Sequence, residues 1–273
     1  MKKTEIQRDG FSAAAASYDS AAVLAAEVGR RMAARLDYVK LAPHRCADIG
    51  CATGDGVRAL MQRYPAALPL AVDFALPMLS AVQARSSWWE RLRGKAPRPV
   101  NADVRALPLA AGSLDLVWSN LMLHWLPDLS SLQGAFAELH RVLAEGGLLH
   151  FALLGPDTLK ELRAGGAPIR GFADMHDIGD LLVGAGFADP VMEMEMLTLT
   201  YRTPRAFLAD QRRLGVRDGL LGTLPWRHWR RVFAAWPREE GQLPARFEII
   251  YGHAWKVAPR VTGDGRAIVH FRK

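Results

Sequence analysis

The residues best suited to chemistry in this chain are polar side chains placed at the ends of apolar runs. Ala47-Asp48-Ile49-Gly50-Cys51-Ala52-Thr53-Gly54 ends one such run in an acid and follows it with a turn of small residues that opens a helix. Glycines there let the backbone turn tightly and approach a ligand. Asp73 ends a second run about 20 residues on, where an acid accepts hydrogen bonds from both hydroxyls of a ribose. Asp103, in Asn101-Ala102-Asp103-Val104, follows a third run and can accept from the exocyclic amine of adenine. Trp118-Ser119-Asn120-Leu121 closes a fourth, at the carboxyl edge where ligands sit in open α/β sheets. Each feature alone is more often structural. The four in this order are what point to a nucleoside-binding site.

The ligand can be narrowed further. In dinucleotide enzymes the turn reads GxGxxG and sets a pyrophosphate on the helix N-terminus. This turn is shorter between its last small positions, and Asp48 would repel a phosphate. It suits an adenosine with an amino-acid end and no phosphate, as in S-adenosyl-L-methionine. The expected cofactor-binding residues are Asp48, Gly50, Ala52, Gly54, Asp73, Phe74, Met78, Asp103, Val104, Asn120 and Leu121.

The elements that must carry these residues alternate. Cys46 to Ile49, Leu68 to Val72, Pro99 to Asn101, Leu114 to Ser119 and Leu148 to Leu154 read as strands. Gly54 to Tyr64, Met78 to Arg93 and Leu129 to Leu143 read as helices, the last stopped by Gly146-Gly147. This rhythm predicts an α/β, Rossmann-like fold, a mostly parallel seven-stranded sheet flanked by helices. Before it, Val23, Leu24, Val28, Met32, Leu36 and Val39 recur at helical spacing within 11–38, ahead of Pro43. After it come a helix over Asp177 to Gly186 and strands over Val191 to Tyr201 and Phe247 to Val257. The chain is expected to be one domain: an N-terminal helical cap (1–42), a core (43–202), an Arg-rich helical lid (203–240), and a last strand with a tail (241–273).

Composition is that of an ordinary globular protein of 273 residues, 50% apolar and 23% charged. No apolar run approaches the roughly 18–20 residues that cross a bilayer, and the N-terminus lacks the apolar stretch of a secretory signal. A cytoplasmic protein without a membrane partner is expected. Cys46 and Cys51 then read as buried thiols. No Cys/His pattern has zinc spacing, and His140 and His150 fall on different elements, so no metal is expected. Met192, Met194 and Met196 on one strand face read as core, with a flexible lining for an acyl chain as the alternative, and Trp88 and Trp89 are expected where the second helix meets its neighbours. The formal charge of +7 favours an acidic partner.

The stretch 46–154 resembles the class I methyltransferase core. Leu114-Asp115-Leu116-Val117-Trp118-Ser119-Asn120 is similar to that family's fourth strand, while Ala52 stands where the family usually carries Gly. A closer resemblance spans nearly the whole chain. Phe11-Ser12-x-Ala14-Ala15-x-x-Tyr18-Asp19 resembles the N-terminal segment of the biotin-synthesis BioC family. So do Trp118-Ser119-Asn120-Leu121 followed by Trp125, and Ala235-Trp236-Pro237 followed by Gly241 and Pro244. The resemblance implies methyl transfer from S-adenosylmethionine to the free carboxyl of a malonyl thioester on acyl carrier protein. The same thioester on coenzyme A is an equivalent reading. A second resemblance stands as the alternative. Gly155-Pro156-Asp157-Thr158-Leu159-Lys160-Glu161-Leu162-Arg163 and Tyr251-Gly252-His253-Ala254-Trp255-Lys256 are similar to a group tied to respiratory complex I assembly and associated with arginine hydroxylation. His124 also fits that group, since BioC relatives often carry Gln there. Other small-molecule methyltransferases share the rest of the field.

Methyl transfer to a carboxylate needs no general base, because a carboxyl with a pKa of about 4 is ionised at neutral pH. Positioning donors are expected instead, with Tyr18 and His124 as the catalytic candidates and Trp125 as a pocket wall. The lid holds eight arginines (Arg202, Arg205, Arg212, Arg213, Arg217, Arg227, Arg230 and Arg231) against Asp210 and Asp218. One of them could meet the carboxylate, since a guanidinium matches it bidentately. Arg227, Arg230 and Arg231 are expected to dock the acidic carrier. Nucleic acid is the weaker reading of the same run, because Leu220, Leu221, Leu224 and Phe233 share the segment and would pack Trp226 and Trp229.

Overall fold

The computed structural model describes residues 3–258, with side chains from Gln7 onward. The chain begins with α1 (Lys3–Ala14) and α2 (Val23–Arg35). The expected helix over 11–38 is therefore broken. At the break, Ser17 Oγ donates to the carbonyl of Ala14 at 3.2 Å and Ser20 Oγ to that of Ser17 at 2.6 Å, around a single 3-10 turn over Tyr18–Ser20. Short hydroxyl side chains compete with the helical ladder in this way. The apolar stripe holds from Val28 through Met32 to Leu36, all buried, but Val23 faces solvent.

The core alternates as the sequence predicts. It runs β1 (Arg45–Ile49), α3 (Asp55–Arg63), β2 (Leu68–Asp73), α4 (Leu76–Ala84), α5 (Trp88–Leu92), β3 (Arg98–Asn101), β4 (Leu114–Asn120), α6 (Leu129–Val142) and β5 (Leu143–Leu154). Then come α7 (Lys160–Ala164), α8 (Met175–Gly184), β6 (Ala188–Tyr201), α9 (Pro204–Arg213), α10 (Arg217–Leu220), α11 (Trp226–Ala235) and β7 (Leu243–Trp255). The sheet has seven strands in the order β3-β2-β1-β4-β5-β7-β6. β1 to β5 pair in parallel, and β7 runs antiparallel between β5 and β6.

Two boundaries differ from expectation, each for a local reason. The helix expected over Met78 to Arg93 divides because Ser87 caps a new one: its Oγ accepts the Glu90 N–H at 3.2 Å while Glu90 reaches back to the Ser87 N–H at 2.7 Å. α6 ends at Val142, before the glycines expected to stop it. Leu143 already pairs with Leu114, so Gly146 and Gly147 lie inside β5, where the register shifts. Lys256 closes that helix end, its Nζ donating to the carbonyls of His140 at 2.9 Å and Leu143 at 2.7 Å. Trp88 and Trp89 stack on each other at 3.8 Å, and both are largely exposed rather than packed at a junction.

Strand alternation divides the core. Leu116, Trp118, Leu148 and Ala152 face α2, α3 and the helices of 204–235, whereas Val117, Leu149, Phe151 and Leu153 face α6 and α8. Phe207, Leu220, Val232 and Trp236 are buried in the first of these layers, so the 203–240 segment shares the core rather than standing apart. On the second layer the Phe151 ring lies over Gly252 of β7, where an added Cβ would sit 2.2 Å from it. Of the methionine row, Met192 packs on the core and Met194 is exposed. Glu193 and Glu195 pair with Arg35 and Arg31 of α2. The tail beyond residue 258, part of the expected 241–273 segment, lies outside the described residues. No helix among them is long and apolar enough to cross a membrane.

Candidate active site

A cavity of about 770 Å³, counting its open mouth, lies at the carboxyl ends of β1, β2 and β4. The turn after β1 forms its floor. Gly50 has φ +77, and a Cβ there would meet Met122 Cβ at 2.5 Å, so the close approach of the two chains requires glycine. Ala52 is also left-handed, with φ 44, and its methyl group sits on the cavity wall.

Of the expected cofactor residues, Gly50, Ala52, Asp73, Phe74, Met78, Asp103, Val104, Asn120 and Leu121 all line this cavity. Gly54 does not; it caps α3 with φ 99. Asp48 does not either. It is buried under the start of α3, beside Gly56, and accepts the N–H of Val57. Burial pushes its carboxyl up to about 8, with Asp73 and Asp55 adding to the shift.

The polar wall has a consistent character. Asp73 Oδ2 accepts the Ala52 N–H at 3.0 Å and Oδ1 the Ala75 N–H at 2.8 Å. Burial raises its pKa, and these hydrogen bonds oppose the shift. Each oxygen keeps acceptor capacity for a hydroxyl. Asp103 is clamped by Arg105, whose Nε lies 2.9 Å from Oδ1, and this partner holds the carboxyl below its usual range. Asn120 Nδ2 donates to the Ala25 carbonyl at 2.8 Å, tying β4 to α2, while its Oδ1 is buried without a partner among the described residues. Two carboxylates and an orphaned amide oxygen, with no lysine or arginine lining the cavity among the described residues, suit a cationic ligand that carries hydroxyls and oppose a phosphate. These features fit S-adenosylmethionine, with Asp73 toward the ribose, Asp103 toward the adenine and Asn120 Oδ1 toward the ammonium group.

A second cavity of about 630 Å³ shares Phe11, Tyr18, Leu121 and Trp125 with the first. Tyr18 thus stands between the two. Burial, then the nearby Asp73, raise its pKa, so the phenol stays protonated and can donate. Its turn is held on both sides: Asp19 Oδ1 accepts from Thr53 Oγ1 of the glycine turn at 2.5 Å, and Ser17 Oγ donates to the Arg213 carbonyl of α9 at 3.0 Å. His124 borders the second cavity and a neighbouring one that also holds Arg170 and Phe172. Its Nδ1 accepts the Leu154 N–H at 3.3 Å, which leaves the proton of a neutral ring on Nε2. Burial, then the Arg170 charge, push its pKa down to about 3.

None of the eight lid arginines lines either cavity. Arg227, Arg230 and Arg231 are exposed on α11. Trp229 stacks on Phe233 at 5.3 Å and packs on the core, but Trp226 is exposed, against the expectation that both are packed. Two amide side chains at the site carry no sequence signal: Gln7 of α1 on the first cavity and Gln211 of α9 on the second, both buried. A glutamine on an amphipathic helix carries no motif, and only the fold shows which way it points. Cys46 and Cys51 are free and buried, and no cluster of three or more metal-ligating side chains occurs among the described residues.

Comparison with known proteins agrees with this geometry. Residues 47–151 match the model of a methyltransferase domain. A solved Bacillus subtilis protein, YcgJ, superposes with a TM-score of 0.60 at 15% identity, covering 84% of this chain and 99% of its own, which supports the fold alone. A malonyl-[acyl-carrier protein] O-methyltransferase from Gallionella capsiferriformans is 50% identical over 96% of this chain and 94% of its own length. Another from Laribacter hongkongensis is 47% identical over 97% and 94%. Of the two resemblances read in the sequence, these relatives share the one to the BioC family. The residues behind the alternative have structural partners here. The N–H groups of Gly155 and Asp157 bind Glu248 at 2.9 and 2.6 Å, Arg246 pairs with buried Glu161, and Gly252 and Lys256 make the contacts described above. Half-identical over almost its whole length to such relatives, and built as a class I S-adenosylmethionine-dependent methyltransferase, the chain belongs to the malonyl-[acyl-carrier protein] O-methyltransferase family.

Proposed function

We propose that this chain transfers a methyl group from S-adenosylmethionine to the free carboxylate of a malonyl thioester on acyl carrier protein, at the seam between the two cavities. The observation that carries the reading is that junction. An acidic cavity suited to a cationic nucleoside adjoins, across the shared Tyr18 and Trp125, an apolar one with no acidic, lysine or arginine side chain on its wall among the described residues. The cofactor supplies an electrophilic methyl on a good leaving group. Asp73, Asp103 and Asn120 hold and orient it. Tyr18 donates from its protonated phenol across the seam, His124 keeps a neutral N–H at the second cavity, and Trp125 and Leu121 exclude water. No group on the protein has to take a proton, so alignment and desolvation do the work.

Carrier recognition falls to α11 in this reading. Arg227, Arg230 and Arg231 are exposed and have no ion pair among the described residues, as a surface for an acidic carrier requires. The resemblance to the BioC family supports a role early in biotin synthesis.

The test uses cofactor labelled in its methyl group and malonyl-loaded carrier. Label should move to the carrier and be released by mild base, as an ester requires. Base-stable label, or label appearing only on arginine-containing peptides, would contradict the reading.

A further inference from the structure

The second cavity poses a problem for an anionic substrate. Its wall contains no lysine, arginine, aspartate or glutamate among the described residues. The cation that a carboxylate would ordinarily meet is missing, although the lid that covers the cavity is rich in arginine. What the lid does present is Gln211. This residue is 3% exposed, and its backbone carbonyl is engaged, accepting the Val216 N–H at 3.0 Å. Its side-chain amide has no hydrogen-bond partner among the described residues, yet it lines the cavity. The amide therefore faces the cavity space and is free to pair with whatever polar group enters it. Tyr201 also borders the cavity, but its hydroxyl is committed to Asp210.

We propose that the Gln211 side-chain amide positions the free carboxylate of the substrate, in a chamber whose described wall residues include no lysine or arginine. This rests on the methyl-transfer reading above. A neutral donor suits the chemistry. In the transfer an oxygen–carbon bond forms, the sulfur–carbon bond breaks with its electron pair going to sulfur, and no proton moves. The carboxylate loses its negative charge as the sulfonium loses its positive one. A guanidinium on the attacking carboxylate would stabilise the reactants more than the transition state and so slow the step. A neutral amide orients the oxygen with less of that penalty, and the cofactor's own charge serves as the counter-ion. Tyr18 and His124, also neutral donors at this wall, belong to the same arrangement.

The experiment compares the affinity of malonyl-loaded and acetyl-loaded carrier for the protein saturated with S-adenosylhomocysteine. Wild type, Gln211→Met and Gln211→Glu are measured, with S-adenosylhomocysteine binding as the check that each variant is folded. Wild type should prefer the malonyl form. Gln211→Met, of similar volume, should erase about 10- to 100-fold of that preference, the range for a hydrogen bond to a charged group, and leave the acetyl affinity in place. Gln211→Glu should weaken the malonyl form further through like-charge repulsion while sparing the acetyl form. A merely structural glutamine would lower both affinities together, and that result overturns the proposal, as does a malonyl preference unchanged in both variants. The two levels of failure separate. Wild type that methylates the malonyl carrier while Gln211→Met keeps the preference removes Gln211 alone. Wild type that transfers no methyl to it removes the reaction reading and this proposal together.

Discussion

Asp73 Oδ2 accepts the N–H of Ala52 at 3.0 Å, so the acid that ends β2 also holds the left-handed alanine in the turn after β1. An L-residue in this conformation costs about 1–2 kcal/mol, and glycine gives back about 0.5–1 kcal/mol in chain entropy. Ala52→Gly should therefore stabilise the fold by about 0.5–1 kcal/mol, read as a rise in Tm of a few degrees, and should widen the cofactor cavity by one methyl. A fall in Tm would mean that the alanine is not strained there.

His124 should stay neutral throughout the working range, since burial and Arg170 hold its pKa at about 3. The pH dependence of kcat should show no inflection near 6.5 that is lost on changing this residue. His124→Gln, whose amide can still accept from Leu154 and donate to the cavity, should retain more kcat than His124→Ala. A limb titrating between pH 6 and 7 in wild type and absent in His124→Gln would refute this.

Three buried groups should shape stability against pH, Asp48 in one direction and two histidines in the other. Asp48 keeps its proton up to about pH 8 in the folded chain, whereas the unfolded chain loses it near 3.8. Stability from this group is full below the lower value and falls as pH rises between the two, at up to about 1.4 kcal/mol per pH unit. Asp48→Asn should remove that slope, and urea melts from pH 5 to 8 would show it. His124 and His150, with pKa values of about 3 and about 4, act the other way. Below about pH 6.5 the unfolded chain takes up protons that the folded chain refuses, so acid destabilises. An Asp48→Asn variant that keeps the wild-type slope would place Asp48 as an ionised group.

Reversing Arg227, Arg230 and Arg231 to Glu should raise KM for the malonyl carrier at low salt by at least tenfold and leave cofactor affinity unchanged, because these side chains are exposed on α11 and away from both cavities. Added salt should narrow the gap between wild type and variant. Unchanged carrier kinetics at low salt would move docking to another surface.

Much of this architecture is legible in the sequence because it follows from local rules. The apolar runs that give β1, β2, β4 and β5, and the acids or amides at their ends, define both the sheet and the first cavity. Where the structure departs from the sequence pattern, tertiary context is the cause. Asp48 looks like a ligand-facing acid, but Gly56 lets α3 close over it. Ser17 and Ser87 interrupt helices that the apolar spacing alone would continue. The second cavity has no signature in the chain at all. Tyr18, His124, Gln211 and Phe247 come from distant segments, and only the packing of α9 and α10 against β6 and β7 brings them to one wall.

The most direct test of the account is intact-mass spectrometry of malonyl-loaded acyl carrier protein after incubation with the pure protein and S-adenosylmethionine, with acetyl-loaded carrier alongside. The account predicts a gain of one methyl on the malonyl carrier, one S-adenosylhomocysteine released for each methyl gained, and no change in the acetyl carrier. An unchanged malonyl carrier in the presence of bound cofactor, or a methyl gained equally by the acetyl form, would contradict it.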